Sequence, residues 1–484
     1  MTALIRTETD RLRAGFRGEL IWPGDDGFDA ARRVWNGMID RRPAVIARAA
    51  ETADVVAAVR FAAGSGLAVS IRGGGHSAAG LAVADGALML DLSAMKAVHV
   101  DTAARTAVAR PGLRWAELDA VTQAFGLATT GGVVGSTGIA GLTLGGGIGW
   151  LDRLIGLTCD NLLGAEIVTA DGQTLSTCGD TRPELYWALR GGGGNFGVVT
   201  SFTYRLHPVT GAYGGLLGYP LDRAAEVLRA FHEVSAAAPD RLTLYAALLT
   251  APPAPFVPEH MRGRRVVGVM SAYFGPADEA ERALAPLRGL ASRPVIDALR
   301  PMSYQQVQQY FDGLPTLPLH HYFTAEWLRG LDEASIEALV TAAAAAPSPH
   351  SMIVLKRMGG AVARVPAGDT AFWYRDAAYH LDVHAQWTPG TAPEPQIAWA
   401  RAARQAARTV SAGGGYVNFL DPGEDRVRAA YGGNYGRLAR IKAAYDPGNL
   451  FRHNNNIPPE SGGRDGRVPP ESGGRDGGRV PPGD

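Results

Sequence analysis

A glycine triplet that follows an apolar run constrains the fold of this chain more than any other feature. Residues 66–69 are typical of a strand, and they lead into the segment Ser70-Ile71-Arg72-Gly73-Gly74-Gly75-His76-Ser77. Glycine lets backbone turn sharply and approach a ligand closely, and successive free N–H groups in such a turn bind anions. Because His76 follows the glycines directly, the segment predicts a phosphate-bearing dinucleotide cofactor tethered to this histidine.

Three further segments favour this interpretation over an ordinary turn, the alternative in a chain with 62 glycines among 484 residues. Residues 131–149 interleave glycine with Val, Ile and Leu, whereas a flexible linker would carry polar residues. This pattern predicts tightly folded backbone packed against a flat ligand, with hydroxyls available at Ser136 and Thr137. Residues 159–172 are typical of a loop, a strand and a turn, and residues 185–199 of a short helix, a glycine turn and a buried strand.

The order of these motifs resembles that of the berberine bridge enzyme-like flavoproteins in the vanillyl-alcohol oxidase superfamily. The motifs lie within residues 35–457 and read RGGGHS, LGGGIGWL, CDNLLGAEIVTADG, LYWALRGGGGNFGVVT, YVNF and YGGNYGRLARIKAAYDPGNLF. The resemblance implies an α+β fold. It combines a two-part FAD-binding domain of the vanillyl-alcohol oxidase type with a substrate domain that has a large antiparallel sheet covered by helices.

We expect the chain to divide into five parts. These are an N-terminal lead-in at 1–34, an FAD-binding domain at 35–208, a substrate-binding domain at 209–412, a C-terminal segment that returns to the FAD domain at 413–457, and a disordered Pro/Gly-rich tail at 458–484. The patterns predict strands at Leu242–Thr250, Arg265–Phe274 and Met352–Lys356, and helices at Phe28–Met38, Thr52–Ala63, Arg114–Phe125, Leu221–Ala236, Pro276–Leu290, Glu333–Ala345 and Gly436–Tyr445.

The resemblance implies that FAD is bonded covalently to His76 through the flavin 8α carbon. Relatives with a second bond use a cysteine whose position falls on Val134 here, and valine cannot form a thioether, so we expect a single link. Cys159 lies downstream of that position and is expected beside the cofactor without a bond to it. The expected cofactor-binding residues are Arg72, Gly73, Gly74, Gly75, His76, Ser77, Gly80, Val134, Ser136, Thr137, Gly138, Gly141, Leu142, Gly145, Gly146, Cys159, Asn161, Ile167, Val199, Asn418, Asn434 and Tyr435.

The chemistry also needs a base that takes a proton from the substrate as hydride leaves for flavin N5. In residues 379–387 strict alternation puts His380, Asp382 and His384 on one strand face. Three polar groups on one face suggest a cavity wall, and a solvent-facing strand edge is the alternative. The resemblance agrees with the cavity wall, because Asp382 falls where some relatives carry a catalytic Glu or a Gln.

A second candidate segment is residues 415–419, in which Tyr416 and Asn418 share a face. The resemblance implies that this tyrosine acts as the base and that this asparagine lies close to the flavin ring. Phe419 replaces a second tyrosine of the family pattern. We favour Tyr416 over Asp382 as the base and keep His380 as a further catalytic candidate. The expected substrate-contacting residues are Ile148, Tyr374, His384 and Tyr431.

These expectations describe an FAD-linked oxidoreductase that takes hydride from an alcohol, an amine or an activated C–H carbon of a small organic molecule such as a secondary metabolite. Dioxygen is the expected acceptor, which would give hydrogen peroxide. A dehydrogenase with another acceptor, a sugar oxidase, a reductase with non-covalent FAD and a flavin-binding protein without turnover are the alternatives. The sequence leaves the identity of the substrate open.

Composition limits the partners, the location and the cysteine or metal chemistry that we expect for this protein. Lys plus Arg and Asp plus Glu number 47 each, which gives no electrostatic reason to expect nucleic acid or an anionic membrane as partner. No apolar run approaches the ~18 residues that span a bilayer, and the first ten residues lack a signal-peptide pattern, so we expect a cytoplasmic monomer or homodimer. Cys159 and Cys178 indicate neither a disulfide framework nor a zinc site, and no histidine spacing suggests a metal.

Overall fold

The protein is described by a computed structural model that covers residues 12–13, 15–290, 293–312, 319–420 and 426–460. The beginning of the predicted lead-in and almost all of the tail predicted to be disordered lie outside these residues. The strands in chain order are β1 (Glu19–Ile21), β2 (Val45–Arg48), β3 (Val69–Arg72), β4 (Leu88–Asp91), β5 (Val98–Asp101), β6 (Thr106–Ala109), β7 (Leu127–Ala128), β8 (Leu162–Val168), β9 (Thr174–Cys178), β10 (Val198–Arg205), β11 (His207–Pro208), β12 (Gly211–Pro220), β13 (Leu242–Thr250), β14 (Arg265–Tyr273), β15 (Ile296–Asp297), β16 (Arg300–Ser303), β17 (His320–Leu328), β18 (Met352–Arg357), β19 (Tyr379–Trp387) and β20 (Ser411–Gly413).

The α-helices among the described residues are α1 (Phe28–Ala31), α2 (Thr52–Ser65), α3 (Trp115–Gln123), α4 (Ile139–Leu144), α5 (Asp152–Ile155), α6 (Pro183–Leu189), α7 (Ala224–Ala236), α8 (Ala277–Arg288), α9 (Tyr304–Gln308), α10 (Glu333–Ala344), α11 (Ala361–Arg364), α12 (Pro393–Gln405), α13 (Val427–Tyr431) and α14 (Tyr435–Tyr445).

Two small sheets precede residue 206. The first has the order β1-β2-β4-β3, in which β2 and β3 run parallel to β4. The second is antiparallel and has the order β5-β6-β10-β8-β9. The glycine segment with His76 begins at the carboxyl end of β3 and forms the loop that follows this strand. The glycines at 191–194 lie in the turn before β10.

A large antiparallel sheet follows, with the order β15-β12-β14-β13-β18-β19-β17-β20 and β16 paired to β12. One face of this sheet packs against α7, α8, α10 and α12, and it contributes Leu244, Leu355, Leu381 and Val383 to the largest apolar core. Burial of these side chains is the main stabilising contribution of this half of the protein. The predicted α+β class with a large antiparallel sheet covered by helices is confirmed.

Most predicted elements differ from the observed ones by one or two residues at their ends. One predicted helix is much longer than the observed one. The predicted helix Phe28–Met38 ends at Ala31, because Trp35 turns towards the glycine loop and donates its backbone N–H to Gly75 O over 3.0 Å. Residues Val417–Phe419 form a 3-10 turn. The limits of the five predicted parts stay a prediction, since the sheets locate strands and not domain boundaries.

Candidate functional site

A cavity of about 820 Å³ lies between the glycine-rich segments and the face of the large sheet that is not covered by helices. Its walls come from distant parts of the sequence, including Trp35, residues 73–78, residues 193–199, β18, β19 and residues 416–419. A volume of this size is within the range of pockets that bind cofactors and drug-sized molecules. The cavity is therefore the candidate site.

Backbone forms the cofactor-facing wall, which we call the glycine cradle and define as residues 73–77, 133–142 and 193–199. A Cβ atom built on Gly74 would lie 2.5 Å from both N and Cα of Gly138, and one built on Gly138 would lie 2.4 Å from Gly74 N. The two loops therefore touch through their backbones, and only glycine allows this approach. The segments at residues 70–77 and 131–149 are brought together here.

The segment at residues 185–199 completes the cradle. Gly193, with φ of 75°, and Gly194 line the cavity together with Asn195 and with Val199 at the start of β10. Lys442 stabilises this turn, because its Nζ donates a hydrogen bond to Asn195 O over 2.7 Å. The same ammonium group is paired with Asp446. Glycines and small side chains therefore line this wall of the cavity, and the backbone of residues 73–77 offers the kind of turn that binds phosphate.

His76 projects from the cradle with its ring plane fixed. The imidazole stacks on the Trp35 indole with ring centroids 4.4 Å apart and an interplanar angle of 19°. Ser136 Oγ lies 3.4 Å from Nε2. Burial lowers the pKa of His76 to about 4, and Arg114 contributes in the same direction. The ring is therefore neutral near neutral pH and keeps a nitrogen lone pair available.

Val134, at the position of the second link in relatives, and Cys159, downstream of it, are placed differently relative to the cavity. Val134 lines the cavity, as its alignment with the family's second-link position implies. Cys159 does not line it; the thiol is fully buried and lies 3.7 Å from Asp160 Oδ1 and 4.0 Å from Arg375 Nη2. Burial raises the pKa of Cys159 to about 12, so this thiol is neither exposed to the cavity nor ionised.

The opposite wall is built from side chains, and we call it the sheet wall. In β19 the odd-numbered residues Tyr379–Trp387 face the helices, while His380, Asp382, His384 and Gln386 face the cavity. The predicted alternation is confirmed, and the solvent-exposed strand edge is wrong, because β18 and β17 flank β19 on both sides. Register sets Lys356 beside His380, Val354 beside Asp382 and Phe323 beside His384.

Charge on the sheet wall is concentrated near Asp382. Its Oδ1 atom lies 3.3 Å from His380 Nδ1 but accepts no hydrogen bond from the described residues. Lys356 is paired with the buried carboxylate of Asp152 and lies 5.4 Å from the ring centroid of Tyr245. The Tyr245 hydroxyl likewise has no partner within the described part of the chain. These buried polar atoms face the cavity and would be satisfied by a ligand.

Tyr416 and Asn418 stand between the two walls. Tyr416 Oη accepts hydrogen bonds from the backbone N–H of Gly147 at 3.1 Å and from Asn418 Nδ2 at 2.9 Å. Burial raises the pKa of Tyr416, and the hydrogen bonds from Asn418, Gly147 and Ile148 oppose that rise. The Tyr416 ring lies 5.3 Å from the rings of both His380 and Phe419, nearly perpendicular to each.

Most predicted site residues reach this cavity. Those that line it are Gly73, Gly74, Gly75, His76, Ser77, Val134, Ser136, Thr137, Gly138, Gly141, Leu142, Ile148, Val199, His380, Asp382, His384, Tyr416, Asn418 and Tyr431. Tyr431 also donates its hydroxyl to Gly192 O over 3.1 Å.

The other predicted residues support the site from behind and do not line it. They are Arg72, Gly80, Gly145, Gly146, Cys159, Asn161, Ile167, Tyr374, Asn434 and Tyr435. Arg72 is turned to the buried Asp91, and Gly80 is packed closely against Ile39.

Close packing and backbone contacts explain the others. Gly145 and Gly146 give room to Asn418 and Phe372, Gly197 packs on Ile167, and Asn161 donates to the carbonyls of Ile155 and Leu157. Asn434 Nδ2 donates to Thr370 O over 3.0 Å, Tyr374 Oη donates to Ala429 O over 2.7 Å, and Arg428 covers the Tyr435 ring.

Sequence reasoning missed several residues of the cavity wall, namely Trp35, Tyr245, His321, Phe323, Lys356, His453, Asn454 and Asn455. A lysine within the apolar run of β18 is a signal that could have indicated Lys356. The others carry no local signal, since they are brought to the cavity by strand register and by the return of the chain.

Among the described residues, no helix is long and apolar enough to cross a membrane, and no group of three or more His, Cys, Asp or Glu side chains could hold a metal ion.

The chain is similar to known proteins over most of its length. Residues 43–177 match the family described as FAD binding domain, and residues 415–458 match the one described as berberine and berberine like. The chain is 34% identical over 468 residues to (R)-6-hydroxynicotine oxidase of Paenarthrobacter nicotinovorans, with 92% of this chain and 97% of that protein covered. It is 28% identical to xylooligosaccharide oxidase of Thermothelomyces thermophilus, with 88% and 89% covered.

Two solved structures show the same fold. The crystal structure of 6-hydroxy-D-nicotine oxidase from Arthrobacter nicotinovorans is similar with a TM-score of 0.82 at 32% identity, over 92% of this chain and 98% of that one. BBE-like 1 of Physcomitrella patens has a TM-score of 0.84 at 24% identity, over 94% and 99%.

Proposed function

Because this chain belongs to the berberine bridge enzyme-like FAD-linked oxidoreductases of the vanillyl-alcohol oxidase family, we propose that it oxidises a small organic molecule with FAD bonded only to His76. The substrate loses two hydrogens from an alcohol, amine or activated C–H carbon, and dioxygen is the acceptor and yields hydrogen peroxide. One observation carries the proposal: His76 of the glycine cradle lines the same cavity as Tyr416, His380 and Asp382.

The cofactor would be held chiefly by the cradle. The backbone of residues 73–77 and 136–138 would receive the pyrophosphate, and Val199 and Asn195 would flank the remainder of the dinucleotide. When bound, FAD supplies the two-electron acceptor for a hydride from the substrate carbon. Val134 at the second-link position supports a single bond, because a valine side chain has no nucleophilic atom.

Tyr416 is our candidate for the base that takes the substrate proton. Its oxygen accepts two hydrogen bonds, from Gly147 N–H and Asn418 Nδ2, and both would strengthen on a phenolate. Burial raises its pKa, so Tyr416 is protonated at neutral pH and acts as a base only in the fraction that has ionised. A well-placed base contributes about 10²–10⁴-fold to the rate.

Asp382 and His380 are the second candidate for the proton acceptor. They lie 3.3 Å apart at the middle of the sheet wall, and the His380 ring contacts the Tyr416 ring. In our proposal this pair orients the reacting O–H or N–H group towards Tyr416. Val354, the neighbour of Asp382 by strand register, and Phe323, the neighbour of His384, present apolar surface that would hold a ring and exclude water.

The attachment is tested on the purified yellow protein by acid precipitation, digestion and mass determination of the flavin-bearing peptide. We expect the colour to remain with the pellet and the mass increase to be on a peptide that contains His76 and not Cys159. His76→Ala is the matched variant and should release its flavin into the supernatant. Flavin in the supernatant of the unaltered protein would refute the covalent link.

The reaction is tested by peroxide release from a panel of benzylic alcohols, cyclic amines and oligosaccharides in air. We expect turnover with a ring-bearing amine or alcohol, since Met352, Val354 and Phe323 add apolar surface to the sheet wall. Turnover with oligosaccharides alone would favour the sugar oxidase. Substrate-dependent bleaching of the flavin that air reverses slowly would instead indicate a dehydrogenase with a different acceptor.

A further inference from the structure

The Trp35 indole is stacked between two imidazoles from different parts of the fold. His76 of the glycine cradle covers one side at 4.4 Å and 19°, and His321 of β17 contacts the ring at 3.8 Å and 24°. Phe323 meets the indole edge-on at 5.7 Å. Trp35 therefore contacts both the glycine cradle, through His76, and the sheet wall, through Phe323.

Hydrogen bonds fix the position of this indole independently of the stacking. The backbone N–H of Trp35 donates to Gly75 O over 3.0 Å. The next residue, Asn36, accepts the backbone N–H of His321 at 3.0 Å and donates through Nδ2 to His321 O at 2.9 Å and to Ala78 O at 2.5 Å. The Trp35–Asn36 dipeptide therefore joins both sides of the His76 loop to the start of β17.

The orientation of His76 matters because an imidazole nitrogen reacts through a lone pair that lies in the ring plane. Rotation about the Cβ–Cγ bond turns that lone pair away from its target. Reactions that depend on such alignment lose large factors when the geometry is released. Stacking on a fixed indole removes this rotation, and the Ser136 hydroxyl near Nε2 limits it further.

We propose that Trp35 is a positioning residue for covalent attachment of FAD, which holds the His76 ring in the orientation that forms the bond. This inference rests on the proposed bond to His76. In that step an imidazole nitrogen replaces one hydrogen of the flavin 8α-methyl group. The two electrons and two protons released pass to dioxygen and give one hydrogen peroxide.

The state of the imidazoles supports this role. Burial lowers the pKa of His76 to about 4, and burial with the neighbouring histidines lowers that of His321 to about 3. Both rings are neutral at neutral pH, so the stack holds a nucleophile and not an imidazolium cation. Trp35 precedes the residues that match the FAD-binding family, which begin at 43.

The test follows acid-stable flavin over time. Full-length protein is produced under riboflavin limitation and mixed with FAD in air, and samples are precipitated with acid at intervals. We expect Trp35→Leu to form the bond at least tenfold more slowly than the unaltered protein, and Trp35→Phe, which keeps a ring, to recover most of the rate. Trp22→Leu, a tryptophan change in the same N-terminal segment away from His76, should behave like the unaltered protein.

Total bound FAD is measured in parallel, before acid, by gel filtration. If Trp35→Leu forms the bond at the normal rate, the inference is wrong while the proposed bond stands. A loss of total FAD in step with the bond would also overturn it, because Trp35 would then only hold the cofactor. An unaltered protein without acid-stable flavin refutes the His76 link and this inference together.

His321→Ala keeps the inference testable if Trp35→Leu does not fold. It removes the imidazole on the opposite side of the indole and leaves the backbone bonds to Asn36 in place. We expect a several-fold slower bond formation with unchanged total FAD. A normal rate in this variant would overturn the proposed role of the stack.

Discussion

The two walls of the cavity are built from different parts of the polypeptide. The glycine cradle presents backbone, and its loops approach so closely that a Cβ on Gly74 would lie 2.5 Å from Gly138 N. The sheet wall presents side chains, which alternate along β19 and reach the cavity only through the register of β13, β18 and β17. A wall made of backbone tolerates few substitutions, whereas a wall made of side chains can change its chemistry without changing the fold.

The largest expected effect is on the cradle. Gly74→Ala places a Cβ against the Gly138 backbone, which cannot rotate away, so the two loops must separate. We expect the purified protein to lose most of its FAD and all measurable oxidase activity, as judged from the ratio of flavin to protein absorbance. Gly179→Ala is the control, since a Cβ there meets no atom within 4 Å. Full FAD content in Gly74→Ala would show that the cradle does not depend on this contact.

A substitution at Tyr416 should affect the reaction without reducing the amount of bound FAD. Tyr416→Phe removes the proposed base and keeps the ring that packs between His380 and Phe419. We expect the rate of flavin reduction by substrate to fall by about 10²–10⁴-fold with normal FAD content. Asp382→Asn in the same stopped-flow experiment distinguishes the two candidates, because the larger loss identifies the base.

The pH dependence sharpens the same distinction. Burial raises the pKa of Tyr416, and a base acts in its deprotonated form. If Tyr416 is the base, the rate of flavin reduction rises about tenfold per pH unit from neutral pH until that pKa is reached. This rise should disappear in Tyr416→Phe. A flat profile above neutral pH in the unaltered enzyme would indicate a base that is already ionised there.

The smallest effect concerns apolar contact with the substrate. Ile148→Val removes one methylene from the cavity lining, and a buried methylene is worth about 0.8 kcal/mol, or roughly fourfold in affinity. We expect KM to rise by no more than that factor, with little change in kcat. Ile46→Val, a buried change in β2 away from the cavity, should leave KM unaltered. An equal rise in both variants would mean that Ile148 acts through stability and not through substrate contact.

The same contrast explains what could be predicted from the sequence. The glycine segments carry their function in consecutive residues, so Gly74, His76 and Gly138 were identified without knowledge of the fold. Alternation also identified His380, Asp382 and His384, because one strand contains its own pattern. Lys356 and Tyr245 were missed, since pairing register between distant strands places Lys356 beside His380 and Tyr245 beside Lys356. Such register depends on tertiary packing, which a single strand does not encode.

Predictions that relied on position in a motif were less accurate than those that relied on backbone conformation. Cys159, Asn434 and Tyr374 were predicted from their places in sequence motifs, yet their side chains bond to structure behind the cavity. Trp35 carried no signal at all, because its partners His76 and His321 lie 41 and 286 positions further along the chain. Contacts over such distances are fixed only when the whole fold has formed.

The return of the chain at residues 415–458 has a consequence for how the protein is made. This segment brings Tyr416 and Asn418 into the cavity, and Lys442 supports the cradle through Asn195 O. Asn195 Oδ1 in turn accepts the N–H of Ile457 over 3.0 Å. Since synthesis proceeds from the N-terminus, the ribosome completes both walls of the site only after residue 457 has emerged. We therefore expect FAD to be incorporated late, so that products of interrupted translation are colourless.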